Sequence, residues 1–135
     1  MRRREMLTTV QSTYDRTSVT SYADESITGP FPVFYTLNLI GNHKKTSVIL
    51  LLNEVMSAEF TEILGKFNGM NQFVLIKILR QLEEDCIIKR VLAEEGGDYK
   101  VKYRLTYTGR RLIPIINELS SWGKEQRRHK ALISI

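Results

Sequence analysis

The stretch NQFVLIKILRQLEEDCIIKR, residues 71–90, contains a change of period that decides the fold. Its first part places apolar residues at Val74, Leu75, Ile78, Leu79 and Leu82. That i, i+3, i+4, i+7 spacing lines one face of an α-helix. Asn71 stands where an N-cap belongs, because its side-chain oxygen can accept from the first free backbone N–H groups. The spacing predicts a helix over residues 71–85, with Gln72, Phe73, Lys77, Arg80, Gln81 and Glu84 on its other face. Cys86 follows at a position that suits glycine, since helices often end in a left-handed residue. The period then falls from 3.6 to 2. Ile87-Ile88-Lys89-Arg90-Val91-Leu92 reads as a strand and Gly96-Gly97 as a hairpin turn. Val101, Tyr103 and Leu105 alternate with Lys102 and Arg104, as a half-buried returning strand does.

Upstream, Phe34, Leu37 and Ile40 have helical spacing, and Gly41-Asn42 stops that helix. A second helix over residues 43–55 is apolar on most sides and is expected to be buried centrally. Ser57 reads as the N-cap of a short third helix whose buried stripe is Phe60, Ile63 and Leu64. Asn68-Gly69 supplies the turn into residue 71. Downstream, Thr106 or Thr108 caps a last helix with the stripe Leu112, Ile115, Ile116, Leu119 and Trp122. Pro114 inside it removes one backbone hydrogen bond and should bend it.

Two short helices at a tight turn, a two-stranded hairpin and a long helix form the winged helix-turn-helix order. The expected class is α+β, mainly α, a winged helix-turn-helix with a two-stranded wing and a long C-terminal helix. The physics suits a nucleic-acid reader. A helix fits the major groove and presents its first turns to base edges. A basic hairpin beside it can lie along phosphates.

The chain of 135 residues fits one folded domain with a real core, and 42% hydrophobic and 26% charged residues are ordinary for a globular protein. The longest apolar run, Ser47-Val48-Ile49-Leu50-Leu51-Leu52, ends at Asn53 and falls far short of the ~20 residues of a membrane span. Met1-Arg2-Arg3-Arg4-Glu5 opens like a signal peptide but leads into no apolar segment. One cysteine, Cys86, excludes an internal disulfide and a cysteine-rich zinc site. His43 and His129 lack companion ligands, so neither a metal nor a cofactor is expected, and the expected compartment is the reducing cytoplasm. The formal charge is +5. Arg2, Arg3, Arg4 and Arg16 are balanced by Glu5, Asp15, Asp24 and Glu25, so the excess lies in residues 31–135. A basic folded domain points to a polyanionic partner, with a plain solubility charge as the other reading. Residues 8–28 are rich in Ser and Thr, and Gly29-Pro30-Phe31-Pro32 closes that stretch. The expectation is a flexible tail over 1–30 and a winged-helix DNA-binding domain over 31–135.

The residues also carry a family resemblance. Leu79-Arg80-Gln81-Leu82-Glu83-Glu84-Asp85, with Ile87-Ile88-Lys89-Arg90, resembles the "LRELEEDGLVxR" signature of HxlR-type winged-helix regulators. Val101-Lys102-Tyr103-Arg104-Leu105-Thr106-Tyr107-Thr108-Gly109 resembles their "VEYSLTxxG". Leu112-Ile113-Pro114 and Leu119-Ser120-Ser121-Trp122-Gly123 resemble "LxPxLxxLxxWG", and Phe60-Thr61-Glu62-Ile63 resembles "FxEL". Pro32-Val33 with Leu39-Ile40-Gly41 is similar to the opening "CPVxxxLxLLGGKW". The match runs in register over roughly residues 31–123.

The resemblance implies a prokaryotic, cytoplasmic transcription regulator that binds double-stranded DNA as a homodimer. It implies DNA contacts from Thr61, Asn71, Gln72, Phe73, Lys77 and Arg80, and from Lys100, Lys102 and Arg104 on the wing. It implies dimer packing by the first and last helices, here Phe34, Leu37, Leu112, Ile115, Ile116, Leu119 and Trp122. Departures are visible. The family's opening cysteine is Phe31, its glycine after "EED" is Cys86, and the wing tip Glu94-Glu95-Gly96-Gly97-Asp98 is acidic.

Some residues admit more than one reading. Lys77 and Arg80 contact nucleic acid, or form a solvated face with an Arg80–Glu84 pair. Phe73 and Ile76 meet thymine methyls, pack on a neighbouring helix, or mark a protein-binding face. On that last reading the chain is a winged-helix protein–protein interaction module with weak, non-specific DNA binding. Cys86 is a small residue at a helix end or a redox switch, and its acidic neighbours argue against a reactive thiolate. Arg110 and Arg111 at the start of the last helix oppose its dipole, which points to an anion or to family variation. Trp122 belongs to dimer packing, with a small-molecule effector as the alternative. An enzyme is disfavoured, since no phosphate loop, nucleophile elbow or catalytic carboxylate pair is present in the sequence.

Overall fold

The computed structural model describes residues 31–133. The expected tail over 1–30 lies outside the described residues. The chain falls into two compact units with the boundary between Asn42 and His43. In the first unit, helix α1 spans Pro32–Ile40. Pro32 opens it, where a missing N–H costs nothing. The Gly41 N–H closes it on the Leu37 carbonyl at 2.7 Å. The Phe31 and Phe34 rings meet edge to face at 6.0 Å. Leu39 and Ile40 are buried, whereas Val33, Phe34 and Leu37 are exposed.

The second unit runs α2 (His43–Val55), α3 (Phe60–Lys66), α4 (Gln72–Glu84), β1 (Ile88–Glu95), β2 (Asp98–Leu105) and α5 (Tyr107–Ile133). Helix α2 packs on α4, β2 and α5. Val48, Ile49, Leu52, Ile63, Leu75 and Leu82 are the most fully buried large side chains. Ile78, Leu79, Ile87, Ile88, Leu105, Leu112 and Ile116 extend this core. The apolar sequence of α2 predicts burial on most sides, but Leu50 and Val55 are exposed. Its neighbours within the unit cover one side only.

The cap of α3 also differs from the sequence reading. Glu59, not Ser57, is the N-cap, and its N–H donates to Glu62 Oε1 at 2.9 Å. The cause is tertiary. Ala58 forms an antiparallel bridge with Tyr103, with N–O distances of 3.1 and 2.8 Å, so the chain stays extended past Ser57.

Local signals set α4 as expected. Asn71 Oδ1 accepts from the Phe73 N–H at 2.7 Å. At the other end Cys86 has φ 60°, while Cys86 N–H bonds Glu83 O and Ile87 N–H bonds Leu82 O, each at 2.9 Å. That pair of bonds is the Schellman ending. The hairpin pairs Ile88 with Leu105 through to Glu95 with Asp98. Gly96 and Gly97, at φ 60° and 91°, form the two-residue turn that needs positive φ at both positions. The turn zips Glu94, Glu95 and Asp98 into the ladder, so both strands are longer than their apolar alternation indicates.

Thr106 caps α5. Its hydroxyl accepts from the Gly109 N–H at 2.9 Å and reaches the Cys86 carbonyl at 2.6 Å. The ends of α4 and α5 are thereby tied together. Pro114 lies within the 27-residue α5.

Candidate nucleic-acid interface

Helix α4 carries two stripes. Leu75, Ile78, Leu79 and Leu82 are buried in the core. Phe73, Ile76, Lys77, Arg80 and Glu84 share the opposite face and are exposed, Phe73 at 70%. Both stripes follow from 3.6-residue geometry and the Asn71 cap, which sets where the first turn begins. Gln72 and Thr61 are also exposed, the latter on the first turns of α3. Asn71 is exposed, but its side-chain oxygen is taken by the cap. Gly69, at φ 77°, makes the turn that joins α3 to α4.

The cations of this face are uncommitted. Neither Lys77 nor Arg80 forms an ion pair among the described residues, so the Arg80–Glu84 pair does not form here. Arg90 behaves differently. Its Nε lies 3.2 Å from Glu83, which ties β1 to the inner edge of α4. Tyr103 sits nearby, and burial, reinforced by the Glu83 charge, raises its phenol above the ordinary range.

The wing residues are placed less simply. Lys100, Lys102 and Arg104 share one strand face, as alternation requires. Arg104 is half-buried and forms no ion pair among the described residues. Lys102 is held by Glu95, and its side chain is only 16% exposed. Lys100 lies 3.4 Å from Glu59 and 3.9 Å from Glu95. The hydrogen bond from Lys102 lowers the Glu95 carboxyl below its usual range, and the same contact raises Lys102. Sequence reasoning saw that the tip is acidic. It did not place Glu59 or Glu95 on the lysines, because that needs the strand register and the Ala58 bridge.

The expected dimer residues divide. Leu112 and Ile116 are buried within the second unit. Ile115, Leu119 and Trp122 are exposed on α5, at 47%, 49% and 69%. Phe34 and Leu37 are exposed on α1. Arg110 is used structurally, its Nη1 donating to the Leu105 carbonyl at 3.2 Å. Cys86 is exposed. Among the described residues, three His, Cys, Asp or Glu side chains nowhere gather as a metal site, and no helix is long and apolar enough to cross a membrane.

Comparisons with known proteins agree with this geometry. An uncharacterised HTH-type transcriptional regulator of Halalkalibacterium halodurans is 36% identical over 92 residues, covering 68% of this chain and 80% of that protein. One from Methanothermobacter thermautotrophicus is 33% identical, covering 70% of each. The solved structure of the reduced form of the transcriptional regulator YodB from Bacillus subtilis superposes with a TM-score of 0.64 at 26% identity, covering 72% of this chain and 94% of that one. The family model for HxlR-like helix-turn-helix proteins matches residues 39–131. With the helix-turn-helix, wing and long final helix all in place, the chain belongs to the HxlR-like helix-turn-helix family.

Proposed function

We infer that the chain is a DNA-binding transcription regulator that acts as a homodimer, each copy inserting the first turns of α4 into the major groove of one half-site. The observation that carries this reading is the outward stripe of α4. Exposed Gln72, Phe73, Lys77 and Arg80 occupy its N-terminal half, and both cations are uncommitted. Lys77 and Arg80 supply contacts to phosphate or to guanine, and Phe73 an apolar contact to a thymine methyl. Gln72 and Thr61 add hydrogen-bonding groups at the same end. A second copy is proposed to cover Ile115, Leu119 and Trp122 on α5, and Phe34 and Leu37 on α1. In this reading residues 31–135 act as the binding and dimerisation domain, preceded by the tail 1–30. The protein works in the cytoplasm, needs no cofactor and catalyses no reaction.

The test is the double substitution Lys77→Ala/Arg80→Ala. Both side chains are exposed, so folding should survive, as circular dichroism and thermal melting will show. Losing two charged contacts per copy should weaken duplex binding at least ~10-fold. It should also flatten the dependence of log K on log salt by about 1 per lost phosphate contact. Unchanged affinity in the folded variant removes α4 from the interface.

A further inference from the structure

The acidic wing tip is the feature that DNA binding does not absorb. A wing beside a groove-reading helix is placed to neutralise phosphates, yet Lys100 and Lys102 already have carboxylates. Glu95 closes β1 one residue before the Gly96-Gly97 turn, and the two-residue turn folds it back over β2. Cross-strand geometry puts Glu95 on the face that holds Lys100 and Lys102, since Ala93 opposes Lys100 and Val91 opposes Lys102. Val91 and Ala93 are small and apolar, leaving the space above them to the lysine stems. Glu95 contacts both ammonium groups. Glu59 reaches Lys100 from the start of α3, the short helix that precedes α4. Glu94, one residue earlier, points to the other face and has no ion pair among the described residues.

We propose that Glu95 is an intramolecular competitor of the DNA backbone for Lys100 and Lys102, so that the wing engages a duplex only where phosphate displaces this carboxylate. The inference rests on the DNA-binding reading above and adds a positioning residue to it. The Glu95 carboxylate is the exposed partner of these pairs, and ion pairs that water can reach are weak, so phosphate can displace it at a cost in affinity. The competition makes the unmodified wing a poor contributor. Affinity is then concentrated in α4, whose cations are uncommitted, and less of it comes from sequence-blind backbone contacts. A glutamate is ionised at neutral pH in any case, and the Lys102 contact lowers the Glu95 carboxyl further, so the competition is in place there.

The experiment compares Glu95→Gln with Glu94→Gln in the full-length chain. The two substitutions remove the same charge from the same turn, and only the first releases Lys102 and leaves Lys100 to Glu59 alone. Binding to a fluorescein-labelled duplex is measured by anisotropy between 50 and 200 mM salt. Glu95→Gln should bind roughly 3- to 10-fold more tightly than Glu94→Gln and steepen the salt slope by about 1 for Lys102, and by up to about 2 where phosphate also draws Lys100 from Glu59. Adding Lys100→Met and Lys102→Met to Glu95→Gln should abolish both gains. Equal affinity and equal slope for the two glutamine variants, with the wild type binding duplex, overturns the competition and leaves the DNA-binding reading standing. If wild type and both variants alike bind no duplex, the DNA-binding reading falls and the competition falls with it.

Discussion

At Cys86 the backbone takes a conformation that suits glycine better than the residue that occupies it. It sits at φ 60°, at the left-handed end of α4, with its thiol exposed. A side chain in that conformation costs about 1–2 kcal/mol, which glycine avoids at the expense of greater unfolded-state freedom. Cys86→Gly should therefore raise stability by up to about 1 kcal/mol, and Cys86→Val should lower it by a similar or larger amount, read by urea denaturation. A stability loss in Cys86→Gly would mean that the thiol itself supports the fold. The position was legible in the sequence because a helix ending is a local event. The Asn71 cap was legible for the same reason. The cap of α3 was not, because Ser57 has the better side chain but Ala58 is held extended by Tyr103 from a strand 45 residues later.

At the scale of elements, the junction of α4, β1 and α5 keeps the outward stripe of α4 in position. The Thr106 hydroxyl joins the start of α5 to the end of α4. Gly109 lets α5 approach so closely that an added Cβ would lie 2.1 Å from the Ile87 carbonyl oxygen. A backbone atom cannot move aside as a flexible side chain would. Gly109→Ala should cost roughly 2–4 kcal/mol and lower the thermal midpoint sharply, which differential scanning calorimetry will measure. A melting point within a degree or two of wild type would contradict the close approach. The element order was readable from the switch of period between Leu82 and Ile87, because each element follows its own apolar spacing. The wing's ion pairs were not, since they depend on which residues the Gly96-Gly97 turn sets opposite one another.

For the whole molecule, the division of the α5 stripe separates folding from assembly. Leu112 and Ile116 serve the unit's own core, while Ile115, Leu119 and Trp122 stay exposed along the same helix. Sequence periodicity gives a single stripe and cannot say which of its residues the chain itself covers. Leu119→Glu/Trp122→Glu should leave the unit folded and shift the mass from dimer to monomer in size-exclusion chromatography with light scattering. Each protomer carries one α4, so the monomer should bind a two-half-site duplex at least ~10-fold more weakly. A dimeric mass in that variant would move the interface elsewhere.

Whether α4 reads DNA sequence is decided by anisotropy on two labelled duplexes. One is the DNA upstream of the chain's own gene and the other is a scrambled control, each at low and physiological salt. A sequence-reading α4 should give preferential binding to the upstream duplex that persists at physiological salt and disappears in Lys77→Ala/Arg80→Ala. Equal binding to both duplexes that vanishes as salt rises would contradict it, leaving only a basic surface.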